Sequence, residues 1–391
     1  MFAIAFLLML SFSSINGGNI HSVSTNNGNT LYVGGVGPNN YTKIQDAVND
    51  AHHGDTVFVY SGIYYEKVKI DKSITVIGEN EQTTIIDGMN KTTTVFSMAA
   101  DYATFSRFTI RYAVGDFWTF SVLVTGNYIT ISNCTIKNCD GLKISFLSNS
   151  IIENCNLSHN YWGLSIDRGS NNLIIRNCII SYNLGKKEED GGYIGGDGIL
   201  MFDIEKPAFN ISIINCTILN SRLDGIACIH NSNIYISDCG ISSSFESHAG
   251  IYLGGVRNGN VLNCKLYDNN YGIQLVNSSN INIRNCNIFS NLEGVKILLE
   301  KDRNVSISYC NIKNNSYGFE IGESRGISVH YNNICNNEIG VTTSLSIFNA
   351  RYNYWGSKLG PSHLFKLRGD KIVSSFAKVF YFPWLMEEYE I

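Results

Sequence analysis

Short runs of alternating apolar and polar residues fill most of this chain, and between Gly250 and Gly340 the runs fall into a repeat. A glycine phrase returns at Gly250-Ile-Tyr-Leu, Gly272-Ile-Gln-Leu, Gly294-Val-Lys-Ile, Gly318-Phe-Glu-Ile and Gly340-Val-Thr-Thr, in steps of 22, 22, 24 and 22 residues. Eight residues ahead of the last four glycines stands the Cys or Asn of a second phrase: Asn263-Cys264-Lys-Leu, Asn285-Cys286-Asn-Ile, Tyr309-Cys310-Asn-Ile and Tyr331-Asn332-Asn-Ile. A period in the low twenties, with two-residue alternation and little helical spacing, predicts a solenoid of strands. In Gly272-Ile-Gln-Leu, Ile273 and Leu275 share one side and Gln274 takes the other. Ile281 with Ile283, then Cys286 with Ile288, repeat this after each bend. Three short strands per coil predict an all-β, right-handed parallel β-helix, the hand following from parallel crossovers.

One helix interrupts the strand pattern near the start. Ile44, Ala47, Val48 and Ala51 follow helical spacing, Thr42 and Gln45 read as a capping box, and Gly54 ends the run. This segment, 42–54, is expected to cap the open end of the solenoid. Coils are expected over 56–350 and a second cap over 351–391, where aromatic residues and proline gather. The whole of 31–391 then forms a single domain, because each coil touches only its neighbours.

Two side-chain columns are expected. Asn138, Asn160, Asn269, Asn291, Asn315 and Asn337 each precede a repeat glycine by three places, which predicts a stacked asparagine ladder in left-handed turns. Cys134, Cys155, Cys178, Cys216, Cys239, Cys264, Cys286 and Cys310 hold one place in successive coils. Their parallel directions suit a buried file of free thiols better than disulfides or a metal-binding thiolate file.

Composition narrows the partners. Charged residues make up 16% of the chain and the net charge is -4, without a Lys/Arg cluster, which argues against nucleic acid. The apolar opening Met1-Phe-Ala-Ile-Ala-Phe-Leu-Leu-Met-Leu is too short to span a bilayer and reads, over 1–22, as a signal peptide and polar leader. Sequons such as Asn133-Cys-Thr agree with export to the cell surface or beyond, and no transmembrane span is expected in the mature chain.

Several phrases resemble one family. Ile44-Gln-Asp-Ala, Gly54-Asp-Thr-Val, Gly62-Ile-Tyr-Tyr-Glu and Ile74-Thr-Val-Ile-Gly near the start, with Asn353-Tyr-Trp-Gly, Gly360-Pro361 and Pro383-Trp-Leu near the end, are similar to the NosD-like and CASH (carbohydrate-binding and sugar-hydrolase) β-helix proteins. The resemblance spans roughly residues 31 to 385. It implies an extracytoplasmic solenoid whose partner is a polysaccharide or cell-surface glycan. The copper association of the NosD name does not carry over, since no Met-rich or His-rich run is present.

Candidate chemistry gathers where the repeat is broken. Cys178 and Gly198 are 20 residues apart instead of 8, and the extra Gly-rich, charged stretch Gly185–Asp197 reads as a loop. The residues preceding the repeat glycines include Trp162, Asp197, Asp224 and Tyr271, which should form one outward column. Five places after the glycines come Arg168, Asp203 and His230, with Asp167 and His248 nearby. As a catalytic set, Asp197, Asp224, Asp203 and His230 would serve acid–base chemistry on glycosidic bonds. As a binding set, Trp162, Asp167, Arg168, His248, Tyr252 and Tyr271 would stack on and hydrogen-bond sugar rings. The carboxylates could alternatively hold Ca2+, though no cofactor is firmly implied. The plainest reading is that Asp before Gly makes turns. The expected function is glycan binding, with a polysaccharide hydrolase or lyase and an adhesive surface protein as the alternatives.

Overall fold

The computed structural model describes residues 28–91, 94–113, 120–187, 191–242, 248–298, 302–344, 346–362, 369–375 and 377–390. The expected leader, 1–22, lies outside the described residues. Strands pair in parallel from coil to coil, and a typical coil carries three of them: Ala249–Gly254, Arg257–Leu262 and Lys265–Tyr267. The first two strands of each coil contribute to a 27-stranded sheet and the third to a 12-stranded sheet among the described residues. The chain is therefore the predicted all-β solenoid.

Register explains why the sequence phrases recur. Ile251, Ile273, Val295, Phe319 and Val341 stand one above another, as do Leu253, Leu275 and Ile297, all buried. Each fully buried side chain of this kind contributes roughly 1.5–3 kcal/mol, which a coil cannot gain without its neighbours. The repeat glycines mark close backbone stacking. A Cβ on Gly272 would lie 2.5 Å from the carbonyl oxygen of Gly294, and one on Gly294 2.7 Å from that of Gly318.

The cysteine file is as expected: all eleven cysteines are buried and free. The thiols of the file donate to backbone carbonyls, as when Cys264 donates to Leu262 O at 3.2 Å. Where the file ends, Asn332 and Asn353 take the cysteine's place. The N–H of Cys310 donates to Asn332 Oδ1 at 2.9 Å, and that of Asn332 to Asn353 Oδ1 at 2.9 Å.

The asparagine expectation needs a correction in two parts. The inner ladder is real: Asn269 N–H donates to Asn291 Oδ1, Asn291 to Asn315 and Asn315 to Asn337, at 3.0, 3.0 and 2.9 Å. Asp370 closes it, accepting from the backbone and side chain of Asn337 at 3.0 and 2.7 Å. These ladder residues do not have positive φ, however, and Asn138 is not among them; Cys139 occupies its rung and donates to Asn160. The left-handed asparagines form separate, exposed ladders, such as Asn172, Asn210, Asn233, Asn258 and Asn280, linked amide to amide. Asn pays little for positive φ, so these sit at the corners while the inner ladder keeps ordinary backbone.

Helix α1 (Ile44–Asp50) buries Ile44, Ala47 and Val48 against the first coils. The predicted capping box does not form. Lys43 is the N-cap without a side-chain bond, and the carboxylate of Glu66 accepts the N–H groups of Ile44 and Gln45, both at 2.9 Å. Gln45 turns instead to the backbone of Lys69. A carboxylate from beyond the strand Gly62–Tyr64 satisfies two helix-start donors and complements the dipole, which a threonine hydroxyl does less well.

Candidate functional site

Within the inserted stretch Gly185–Asp197, Lys186–Lys187 pairs antiparallel with Tyr193–Ile194 where a plain loop was expected, and 188–190 lie outside the described residues. Its base lies on Trp162: a Cβ at Gly195 would fall 2.9 Å from the indole, and Gly196 N–H donates to Tyr161 O at 2.7 Å. Arg222 stacks 3.3 Å from the centre of the Tyr193 ring. The insertion thus delivers the chain to Asp197 beside the rim of the sheet.

Asp197 and Asp224 occupy neighbouring coils, as the column argument requires. Gly163 N–H donates to Asp197 O at 3.1 Å and Gly198 N–H to Asp224 O at 3.0 Å. The Asp224 carboxylate accepts Ala249 N–H at 2.7 Å and faces His248 Nδ1 at 3.7 Å. Asp197 is 5% exposed. Its carboxyl is pushed up to about 7, first by burial and then by the charge of Asp224, against the lowering effect of the Asp224 N–H and of His248. The bond to Asp224 raises His248 above the usual histidine value, and burial with Asp224 nearby raises the Tyr252 phenol. Asp197, Asp224, His248 and Tyr252 therefore act on one another electrostatically, with Trp162 on the rung beside Asp197.

Tyr271 stands on the rung next to Ala249, but Asp203, His230, Arg168 and Asp167 are elsewhere. Asp203 and His230 follow the strands Ile199–Phe202 and Ile226–Ile229, whereas Asp197 and Asp224 precede them. Six residues of extended chain, roughly 20 Å, separate Asp197 from Asp203, so the expected catalytic quartet is divided into two ends of one sheet. Asp203 closes a turn by accepting the N–H groups of Lys206 and Glu205, both at 2.9 Å, and these bonds, Lys206's first, hold its pKa low. His230 has φ 61° and packs against Gly255. Arg168 has φ 51° and lies 5.8 Å from the centre of the Phe146 ring. Asp167 is engaged by Lys143 Nζ at 2.5 Å and the Ser145 hydroxyl at 2.6 Å. The length of the strand is the reason: residues before and after it share a coil without sharing a site.

A second polar group on the same face was not singled out from the sequence. Lys296 Nζ lies 3.1 Å from both Glu293 Oε1 and Glu320 Oε2, and 4.6 Å from the centre of the Tyr271 ring. Glu293 is 7% exposed, and its Oε2 is buried without a hydrogen-bond partner. Burial and the neighbouring Glu320 raise the Glu293 pKa, while Glu320 is held low by its bonds to Glu293 and Lys296 against its own desolvation. The signal was present in the repeat itself, since Lys296 and Glu320 hold the third place of their glycine phrases. Among the described residues no three His, Cys, Asp or Glu side chains converge as a metal set.

The family model for the right-handed beta helix region matches residues 79–210 and 197–354. This chain belongs to that right-handed β-helix family. No curated protein matches the sequence. Among solved structures, the Dettilon tailspike protein (gp208) is similar at 10% identity with a TM-score of 0.57, over 85% of this chain and 64% of that one. The Agl-KA catalytic domain gives 14% and 0.51, over 86% and 64%. The A-module of the Azotobacter vinelandii mannuronan C-5 epimerase AlgE6 gives 13% and 0.47, over 86% and 93%. At these identities the likeness is one of fold. Among the described residues no helix is long and apolar enough to cross a membrane.

Proposed function

We propose that this β-helix is an exported, NosD-like or CASH-type protein that binds glycans on the rim bearing Trp162, Asp197, Asp224, His248, Tyr252 and Tyr271. The observation that carries the reading is the convergence of a buried acid, an Asp–His pair and a tyrosine beside the paired strands Lys186–Lys187 and Tyr193–Ile194. Aromatic rings there supply flat apolar surface, and the carboxylates and imidazole supply directional hydrogen bonds, the mixture a sugar ring needs. Binding on a glycan array by the purified chain, lost in Asp224→Ala and in Trp162→Ala, supports the assignment. Binding that survives both substitutions would reject this rim as the site.

One observation favours turnover as the second reading. Asp197 keeps its proton near neutrality while Asp224 is paired with His248, so an acid and a second carboxyl group stand on adjacent rungs. In that reading Asp197 protonates the leaving oxygen and Asp224 acts on the opposite side of the sugar. New reducing ends or unsaturated products from a polysaccharide panel, absent with Asp197→Asn, decide for it.

A further inference from the structure

A separate groove opens at the corner between the second and third strands of the later coils. There the left-handed positions before the cysteine place carry Tyr309, Tyr331 and Tyr352, stacked nearly parallel with ring centres 5.5 and 5.6 Å apart. The C-terminal segment lies over this stack. The Tyr389 ring stands edge-on to Tyr309 at 5.0 Å, its N–H donates to Asn333 Oδ1 at 2.7 Å, and its carbonyl accepts from Asn333 Nδ2 at 2.8 Å. Glu388 pairs with Lys313 at 2.9 Å. Asn333 continues into an amide ladder, donating to Asn311 at 2.7 Å, which donates to Asn287 at 2.8 Å.

Beyond Tyr389 the same corner holds a groove of about 520 Å³ walled by Tyr389 and Glu390 and lined by Arg284, Asn285 and Asn287. Its volume is that of a small-ligand cleft. The Arg284 guanidinium rests 4.5 Å from the centre of the Tyr309 ring and makes no ion pair among the described residues. Stacking on the ring leaves the edge of the planar fork available for an oxyanion, which guanidinium binds bidentately. Asn287, at the end of its ladder, has amide hydrogens to give, and Asn285, which donates to Asn263 at 3.3 Å, has its oxygen to receive with. Donors, an acceptor, a cation and two tyrosine edges in one cleft match a sugar that carries a negative group.

We propose that this corner groove is a second glycan subsite, specific for an anionic sugar, and that the C-terminal segment completes it by contributing the Tyr389 wall. From the proposed function it takes only that the protein binds glycans; the residues are different and lie on a different face. Arg284 reads the carboxylate or sulfate, and Asn285 and Asn287 read hydroxyls. Glu390 faces the same space, so its carboxylate opposes an anion there and Arg284 is the cation that must outweigh it.

The test is calorimetric titration of the full chain with three oligosaccharides: alginate hexamer for a carboxylate, carrageenan hexamer for a sulfate, and cellohexaose as the neutral control. Binding of one or both acidic oligomers, weakened about tenfold or more by Arg284→Ala and retained by Arg284→Lys to a greater degree, is the expected result. Tyr389→Ala should weaken the same ligand with little change in thermal unfolding, since the residue is 40% exposed. The acidic oligomer preferred identifies the group that is read. Failure of both acidic oligomers to bind, or equal binding by Arg284→Ala, overturns the proposal. Acidic binding lost in Asp224→Ala but not in Arg284→Ala would move the site to the other rim and overturn it too. Binding dependent on Arg284 and indifferent to Asp224 would uphold this groove even if the first rim bound nothing. An acidic peptide matching residues 386–390 that binds as tightly as the oligosaccharides would make the groove a peptide site and sink the sugar assignment.

Discussion

His248 Nδ1 lies 3.7 Å from Asp224 Oδ1, one coil away, and both sit next to the buried Asp197. The arrangement makes stability depend on pH in a stated direction. Asp197 has its folded pKa raised from 3.8 to about 7, so the folded state binds the extra proton. Its contribution is full below about pH 4 and is lost as pH climbs to about 7, at up to roughly 1.4 kcal/mol per pH unit. His248 is also raised, so its share is full below its ordinary value and declines as pH passes through the folded one. Urea midpoints measured from pH 4 to 9 should show the Asp197 effect vanish in Asp197→Asn and the upper part shrink in His248→Gln. Parallel wild-type and Asp197→Asn curves would refute a buried acid.

Repeat period, inward apolar columns and the cysteine file were legible in the sequence because each depends only on alternation and spacing, which survive from coil to coil. The Asp197–Asp224 neighbourhood was legible for the same reason. Asp203 and His230 were misplaced because counting five residues from a glycine fixes a coil position but crosses a strand to its far end. The Glu66 cap was hidden because it bridges 22 residues of sequence, and local motifs describe only adjacent turns. The inner asparagines were assigned the wrong backbone because Asn serves both corner and ladder here, and composition does not separate the two.

Glu66 offers a direct check of that hidden contact. Glu66→Ala removes the acceptor for two helix-start N–H groups and should lower stability by about 1–2 kcal/mol. Thr42→Ala should do almost nothing. The opposite ranking in thermal unfolding would restore the capping box.

The inner ladder predicts an unequal response from two similar residues. Asn291 accepts from Asn269 and donates to Leu266 O, Phe289 O and Asn315, all in the interior. Asn291→Ala strands several buried partners and should cost about 2–4 kcal/mol. Asn285→Ala, on the exposed ladder, should cost under about 1 kcal/mol despite its left-handed backbone. Comparable losses for the two would mean that the inner amides are not structural.

The cysteine file predicts chemical silence. Buried thiols are poor thiolates: within the file the contact with Cys134 and burial raise Cys155, and outside it burial pushes Cys139 up to about 12 and raises Cys228. A thiol reagent should therefore label almost none of the eleven cysteines in the native protein and all of them in denaturant. Rapid labelling of several without loss of structure would show that the file is open.

Lys296 joins two carboxylates on a mostly covered face, and removing it tests whether that contact is essential. Lys296→Met keeps the side chain's length and its packing on Tyr271 but leaves Glu293 and Glu320 facing each other without a cation. At pH 8 both are ionised, and the loss should be about 2 kcal/mol, below the figure for a fully buried pair because Glu320 is 38% exposed. At pH 5 Glu293, whose pKa is already raised by burial and by Glu320, takes a proton and the repulsion lapses, so the penalty should be smaller. A second change, Glu320→Gln in the same chain, should recover most of the pH 8 loss because only one carboxylate then remains. If Lys296→Met costs the same at both pH values, or if Glu320→Gln gives no recovery, the three side chains are not coupled. The raised pKa of Glu293 would then have burial as its sole cause.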